Sequence, residues 1–254
     1  MRLSKSLATA IIKHAHECAP AESCGVIISA NGRRRYVPCR NIMAGTAAGT
    51  DRFEICPFDL AAAEDAGELL AYVHSHPNAG NRPSHADMIG IEREGLPWVI
   101  VSLPSGAISV TYPTGQRLPL VGRTFCHGIV DCYTLIQDYY ATRCGIELPD
   151  FDRHDDWWKR GADGQPGADL YLQHVEAQGF VRVGDGRAEW QPHDLVLMQV
   201  LSEQANHAAV FDADRPGLIL HHLWGRLSGH DVWGGDWARR TVGIYRHRSL
   251  MGQA

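Results

Sequence analysis

The sequence predicts an α+β protein of two domains, and three observations carry that prediction. Short β-prone runs alternate with helical patterns along the whole chain. The stretch Pro113-Thr114-Gly115-Gln116-Arg117-Leu118-Pro119 directly follows a strand and has the composition of a boundary. Chemistry-bearing residues gather twice, before that stretch in Ala71 to Asp87 and after it around Cys132 and His207. The expected division is residues 1–112, a linker at 113–122, and residues 123–254.

In the first half, Leu7, Ile11, Ala15 and Cys18 recur at helical spacing, so the chain opens with an amphipathic helix. Arg2 and Lys5 ahead of Leu7-Ala8-Thr9-Ala10-Ile11-Ile12 faintly suggest a secretion signal, but Lys13, His14, His16 and Glu17 cut the apolar run short. Gly25 to Ser29 reads as a buried strand. Arg35 to Cys39 reads as an edge strand, because Pro38 cannot donate to a ladder. The basic run Arg33-Arg34-Arg35 suits such an edge, where charge blocks unwanted pairing. A Gly/Ala/Thr loop, Ala44 to Thr50, leads to a short strand at Phe53 to Cys56. A helix follows from Pro57 to Leu70 with proline in its first turn. It delivers the apolar strand Ala71-Tyr72-Val73-His74-Ser75-His76, which Pro77 stops. After a Gly/Asn/Pro loop, a helix runs from Asp87 to Glu94 and ends at Gly95 and Pro97. Trp98 to Leu103 and Ala107 to Tyr112 complete a curved mixed sheet.

In the second half, Leu135, Ile136, Tyr139 and Tyr140 share one face of a helix that starts near Cys132 and stops at Gly145. The acidic run Asp150 to Asp156 and the pair Trp157-Trp158 come next, with the tryptophans read as core or a cleft wall. A helix spans Ala168 to Gln178, capped by Gly179. Strands follow at Asp194 to Leu197, Asn206 to Phe211 and, after the turn Asp214-Arg215-Pro216-Gly217, Leu218 to His222. Trp233, Gly234, Gly235 and Trp237 read as an aromatic and glycine loop before the last strand, Thr241 to Tyr245.

Composition narrows the function. Apolar content of 44% and charged content of 21% are ordinary for a globular chain. A net charge of −5 argues against a general nucleic-acid binder. No run of eighteen apolar residues occurs, so no membrane insertion is expected. The 7 cysteines form no CxxC pair, and reduced thiols are the expectation.

The chemistry of the first half lies in His74-Ser75-His76-Pro77 and Asp87. Alternation on a strand points both imidazoles to one side and Ser75 to the other. The loop can return Asp87 over them, and two histidines with one carboxylate suit zinc while leaving a fourth position open. Ser84, three residues before Asp87, also fits a helix cap. The whole pattern, H-S-H-P-x6-S-x-x-D with Glu22 upstream in Pro20-Ala21-Glu22-Ser23-Cys24-Gly25, resembles the JAMM (MPN-plus) metallopeptidase signature. That resemblance implies His74, His76 and Asp87 as Zn2+ ligands, and Glu22 as the acid/base that takes a proton from the metal-bound water. It also implies Ser84 as a donor to the developing oxyanion.

In the second half Cys132 sits near a helix N-terminus. Lowering a thiol pKa from about 8.5 to about 6 takes roughly 3.4 kcal/mol, and a helix dipole supplies at most about 2 kcal/mol. A basic partner is needed, and His207 is the candidate. Leu218 to His222 can then return a further imidazole, His221 or His222, to orient the base.

Residues from about 123 to 248 resemble the NlpC-type cysteine peptidases, a papain-like α+β family acting on cell-wall peptides. Asp131-Cys132, His193-Asp194-Leu195-Val196 and His207 carry the likeness. Tyr133-Thr134 stand where most members have Ser-Gly, and His193 replaces the usual glycine. The form Cys132-Tyr133-Thr134-Leu135, and the fusion of the two halves, look like the tail-tip assembly K family of lambda-like phages. Alignment with the NlpC family makes His221 the third residue, with a one-residue slip leaving His222 open. The resemblance implies two peptidase centres, one cleaving peptidoglycan stems, with other tail-tip proteins as partners. It places the protein in the host cytoplasm during assembly or at the virion tail tip. The competing reading is a docking module with one or both centres silent.

Overall fold

The computed structural model describes residues 1–46 and 51–252, so part of the loop expected at Ala44 to Thr50 lies outside the described residues. The chain forms two compact units, Met1–Gln116 and Arg117–Ala254.

The first unit is a five-stranded sheet between helical layers. It opens with α1 (Lys5–Cys18), capped by Ser4, whose hydroxyl accepts from the Leu7 N–H at 3.2 Å. β1 (Cys24–Ala30), β2 (Arg33–Cys39), α2 (Pro57–Ala66), β3 (Glu68–His76), α3 (His85–Glu94), β4 (Trp98–Ser102) and β5 (Ile108–Thr111) follow. The strand order is β2-β1-β3-β4-β5, which puts β2, with Pro38 and the arginine run, at an edge. One face packs Ile27, Ala71, Val73, Val99 and Val101 against Ile11 and Ala15 of α1. The other packs Cys24, Val26, Ile28, Tyr72 and Trp98 against Ala63 of α2 and Ile91 of α3. His74 has the parity of Tyr72, so the histidines face the α2 and α3 layer.

Three elements differ from expectation. The strand expected at Phe53 to Cys56 is a single bridge, Ile55 to Asn41. The helix expected to reach Leu70 ends at Ala66, because β1 claims the next residues: Ile28 pairs with Leu69 and Ser29 with Glu68. Gly67 permits the turn, since a Cβ there would lie 2.5 Å from the Ser29 carbonyl oxygen. The helix expected from Asp87 starts at His85, with Ser84 as cap and Asp87 in its first turn.

The second unit carries α4 (Cys132–Tyr139), α5 (Leu170–Val175), β6 (Phe180–Gly184), β7 (Leu195–Met198), β8 (His207–Phe211), β9 (Leu218–His221), β10 (Gly229–Val232), α6 (Gly235–Arg240) and β11 (Thr241–His247). Its antiparallel sheet has the order β10-β9-β8-β7-β11-β6. Leu135, Ile136, Tyr139 and Tyr140 are buried on the face that holds Leu195, Leu197, Ala208, Val210 and Leu220. Burying each of the leucine, isoleucine and valine side chains contributes about 1.5–3 kcal/mol. Val196, Met198, Ala209, Phe211 and Ile219 face the other way, toward Trp190, Trp233 and Trp237. Trp157 is buried and Trp158 packs against the same core. The loop expected at Trp233 to Trp237 contains the start of α6, and the strands β6 and β10 were not expected from the sequence. β10, with the sequence GHDV, is an edge strand paired only with β9, so it lacks the apolar alternation of a buried strand.

Candidate active sites

In the first unit β3 and α3 bring two imidazoles and a carboxylate together. His74 Nε2 and His76 Nε2 lie 3.1 Å apart. Asp87 Oδ1 is 3.2 Å from His74 Nε2, and Asp87 Oδ2 is 3.3 Å from His76 Nε2. A zinc ion with ligands at about 2.0–2.1 Å spaces them about 3.3 Å apart in a tetrahedron, and each imidazole nitrogen has the other nitrogen and one carboxylate oxygen near that spacing. All three residues are buried.

The surroundings orient the three side chains. His76 Nδ1 lies 2.6 Å from the Gly80 carbonyl oxygen, to which it can only donate, leaving the Nε2 lone pair directed at the cluster. His74 is stacked on Phe53 at 4.6 Å between centroids and meets the edge of Trp98 at 5.4 Å. Its Nδ1 is buried and has no hydrogen-bond partner among the described residues. Asp87 is fixed by a reciprocal cap: the Ser84 N–H donates to Asp87 Oδ2 at 2.7 Å, and the Asp87 N–H donates to Ser84 Oγ at 3.1 Å. Burial opposes charge on Asp87, yet His74 and His76 outweigh it and hold the carboxyl below its ordinary range. Burial likewise opposes charge on His76, and hydrogen bonds to Asp87 and Gly80 outweigh it and raise its pKa. A cation at this cluster would have to displace protons.

Glu22 lies two residues before the Cys24–His74 pair, and continuing that register sets it opposite His76. Hydrogen bonds between Ser23 and Ser75 extend the pairing: Ser75 N–H to Ser23 O at 3.1 Å, and Ser23 N–H to Ser75 Oγ at 2.9 Å. Glu22 is buried, and loss of hydration raises its pKa to about 8, His76 opposing and Asp87 adding to the shift. Ser84 serves as the helix cap. His85 is half-buried at the start of α3.

The Glu22 shift sets a pH dependence in the metal-free chain. Its folded pKa is raised, so its contribution to stability is complete below 4.5 and is lost progressively up to about 8. Across that window, urea midpoints of Glu22→Gln should fall less than those of the native chain. Equal falls would place the titration elsewhere.

In the second unit Cys132 begins α4, and Asp131 caps it by accepting from the Thr134 N–H at 2.9 Å. Asp131 and Arg153 form a buried ion pair at 2.8 Å, which pins the loop after α4 to the helix start. Cys132 is buried, and its Sγ lies 3.1 Å from Tyr171 Oη. Loss of hydration, reinforced by Asp131, pushes the thiol up to about 11, although Tyr171 and the Ala208 N–H oppose the shift. Ala208 is the residue after His207, so the sulfur lies against the start of β8.

His207 Nε2 is 3.0 Å from His221 Nδ1, and His221 Nε2 is 3.2 Å from Asp231 Oδ2. Burial lowers the pKa of both rings. His222 turns away: its Nε2 lies 3.2 Å from the Arg226 carbonyl oxygen. Of the two imidazoles left open by the sequence, His221 is the one that meets His207. Among the described residues Cys132 Sγ hydrogen-bonds Tyr171 and not His207. Alternation explains it, since Ala208 packs on the α4 face while the His207 ring lies 6.3 Å from Trp237. Sequence reasoning missed Tyr171 and Asp231. No spacing links Tyr171 to Cys132, and Asp231 lies on the unpredicted strand β10.

Comparison with known proteins divides the chain in the same two regions. Residues 4–112 match the family described as prokaryotic homologs of the JAB domain, and residues 121–246 match the NlpC/P60 family. The chain is 38% identical over 243 residues to the tail tip assembly protein K of Escherichia phage N15, covering 96% of this chain and 95% of that protein. It is 39% identical over 199 residues to the tail tip assembly protein K of Escherichia phage lambda, covering 78% and 92%. A crystal structure of a JAB1/MPN domain protein from Archaeoglobus fulgidus is 21% identical, with a TM-score of 0.31, over 47% of this chain and 94% of that one. Among the described residues no helix is long and apolar enough to cross a membrane.

Proposed function

The chain belongs to the tail tip assembly protein K family, and from that membership we propose that it is a two-centre peptidase working with other tail-tip proteins of a phage. The JAB-type half is a zinc-dependent peptidase or isopeptidase, and the NlpC/P60-type half cleaves peptide stems of peptidoglycan. The single observation that carries the first centre is the convergence of two imidazole nitrogens, 3.1 Å apart, with the Asp87 carboxylate, whose Oδ1 is 3.2 Å from one and whose Oδ2 is 3.3 Å from the other.

His74, His76 and Asp87 would hold the zinc, which when bound supplies Lewis acidity and makes a hydroxide nucleophile accessible near neutral pH. Glu22 takes the proton of the attacking water and returns it to the leaving amine. A pKa of about 8 in the metal-free chain is suited to that return near neutral pH. Ser84 holds Asp87 in place, and its hydroxyl proton is free to serve the developing oxyanion.

For the second centre the assignment is Cys132 as nucleophile, His207 as base and His221 as its orienter. A second reading has one supporting observation. Cys132 is bonded to Tyr171, with a thiol near 11, which suits a silent docking fold in the NlpC/P60-type half.

Elemental analysis of the purified chain tests the first centre. About one zinc ion per chain is expected, removed by a chelator and restored by zinc alone. A chain that takes up no zinc at micromolar concentration is incompatible with this reading.

A further inference from the structure

Asp231 lies on the edge strand β10, whose register pairs Asp231 with Ile219 and Gly229 with His221. Its carboxylate is therefore diagonal to His221 on the same face, and Oδ2 reaches His221 Nε2 at 3.2 Å. His221 Nδ1 in turn lies 3.0 Å from His207 Nε2. Trp237 sets its ring edge-on to His221, 4.9 Å between centroids, and limits rotation of that ring. Three groups thus form one line from the half-exposed Asp231 carboxylate through His221 to the His207 ring.

That line decides which nitrogen of His207 carries the proton. A neutral imidazole has one N–H and one lone pair. A carboxylate can only accept, so His221 must put its proton on Nε2 to meet Asp231. His221 Nδ1 is then an acceptor, and His207 must donate from Nε2. The lone pair of His207 is left on Nδ1, which makes no hydrogen bond among the described residues. Without Asp231 the opposite arrangement is equally open: His221 donates from Nδ1, and His207 carries its proton on Nδ1, where it cannot act as a base.

We propose that Asp231 is a positioning residue of the cysteine centre, fixing the tautomers of His221 and His207 so that His207 Nδ1 is the base for Cys132. This rests on the reading of Cys132 and His207 as nucleophile and base. In the reaction, the Cys132 thiol proton passes to His207 Nδ1, leaving a thiolate and an imidazolium. The imidazolium keeps its Nε2–H on His221, whose own Nε2–H stays on the negative carboxylate. The thiolate then attacks the substrate carbonyl carbon, the C–N bond breaks as the Nδ1 proton passes to the leaving amine, and water cleaves the resulting thioester, giving the carboxylate and returning the proton to the sulfur. Asp231 touches neither thiol nor substrate.

The test is nitrogen NMR of the full chain labelled at histidine, together with hydrolysis of a peptidoglycan stem peptide. In the native chain both His207 and His221 are expected in the Nε2–H form. In Asp231→Ala a substantial fraction of His207 shifts to the Nδ1–H form, and kcat falls by about tenfold to a hundredfold with KM little changed. Asp231→Glu, which retains a carboxylate, restores the Nε2–H form and most of the rate. His207 in the Nδ1–H form in the native chain, or unaltered tautomers in Asp231→Ala, would overturn the proposal. A native chain with the expected tautomers but no hydrolysis refutes instead the peptidase reading of this half, since the NMR result does not depend on activity.

Discussion

Cys132→Ala is expected to abolish release of peptides from isolated cell-wall sacculi, by about ten-thousand-fold or more, while leaving the zinc content unchanged. The size follows from the role, since alanine leaves no atom that can form the acyl intermediate. The structure adds a condition. With the thiol pushed up to about 11 and bonded to Tyr171, Cys132 holds its proton near neutral pH, so the release requires a base at the sulfur. Mass analysis of the released fragments reads the result directly. If the native protein releases nothing under conditions where it is folded, the docking reading of this half stands. If Asp87→Ala also abolished the release, the two centres would not be independent.

Asp87→Ala should leave the first centre without metal, lowering zinc affinity by at least about a hundredfold, because loss of a ligand exceeds the loss of a supporting contact. Asp87 also caps α3, so alanine costs about 1 kcal/mol of helix stability as well. Two controls separate these effects. Asp87→Asn keeps an oxygen to accept from the Ser84 N–H but removes the anionic ligand, so it should lose zinc with little loss of stability. Ser84→Ala removes the hydroxyl that accepts from the Asp87 N–H and should keep zinc. Zinc retained in Asp87→Asn would mean that the carboxylate is not a ligand, and elemental analysis after dialysis distinguishes the outcomes.

The limits of sequence reasoning are visible in particular residues. The burial of Leu7, Ile11 and Ala15 is a repeat of 3.6 residues, and the shared side of His74 and His76 is a repeat of two; both periods are local. The end of α2 was misread because Glu68 and Leu69 are claimed by β1, some forty residues away in the chain, and local propensity does not register that competition. The strand β10 carries glycine, histidine and aspartate in four residues, so no apolar pattern announced it or Asp231. Tyr171 reaches Cys132 across 39 positions through tertiary packing alone.

By itself the sequence determined the two-part α+β architecture, the facing pair of imidazoles, and a thiol at a helix start that a dipole alone cannot ionise. Only the tertiary structure decided that the Asp87 carboxylate meets both imidazoles, at 3.2 and 3.3 Å, that His221 rather than His222 meets His207, and that Tyr171 holds the sulfur. The reason is physical: side-chain direction within an element follows from backbone periodicity, whereas the meeting of two elements depends on register and on competition among distant partners for the same hydrogen bonds.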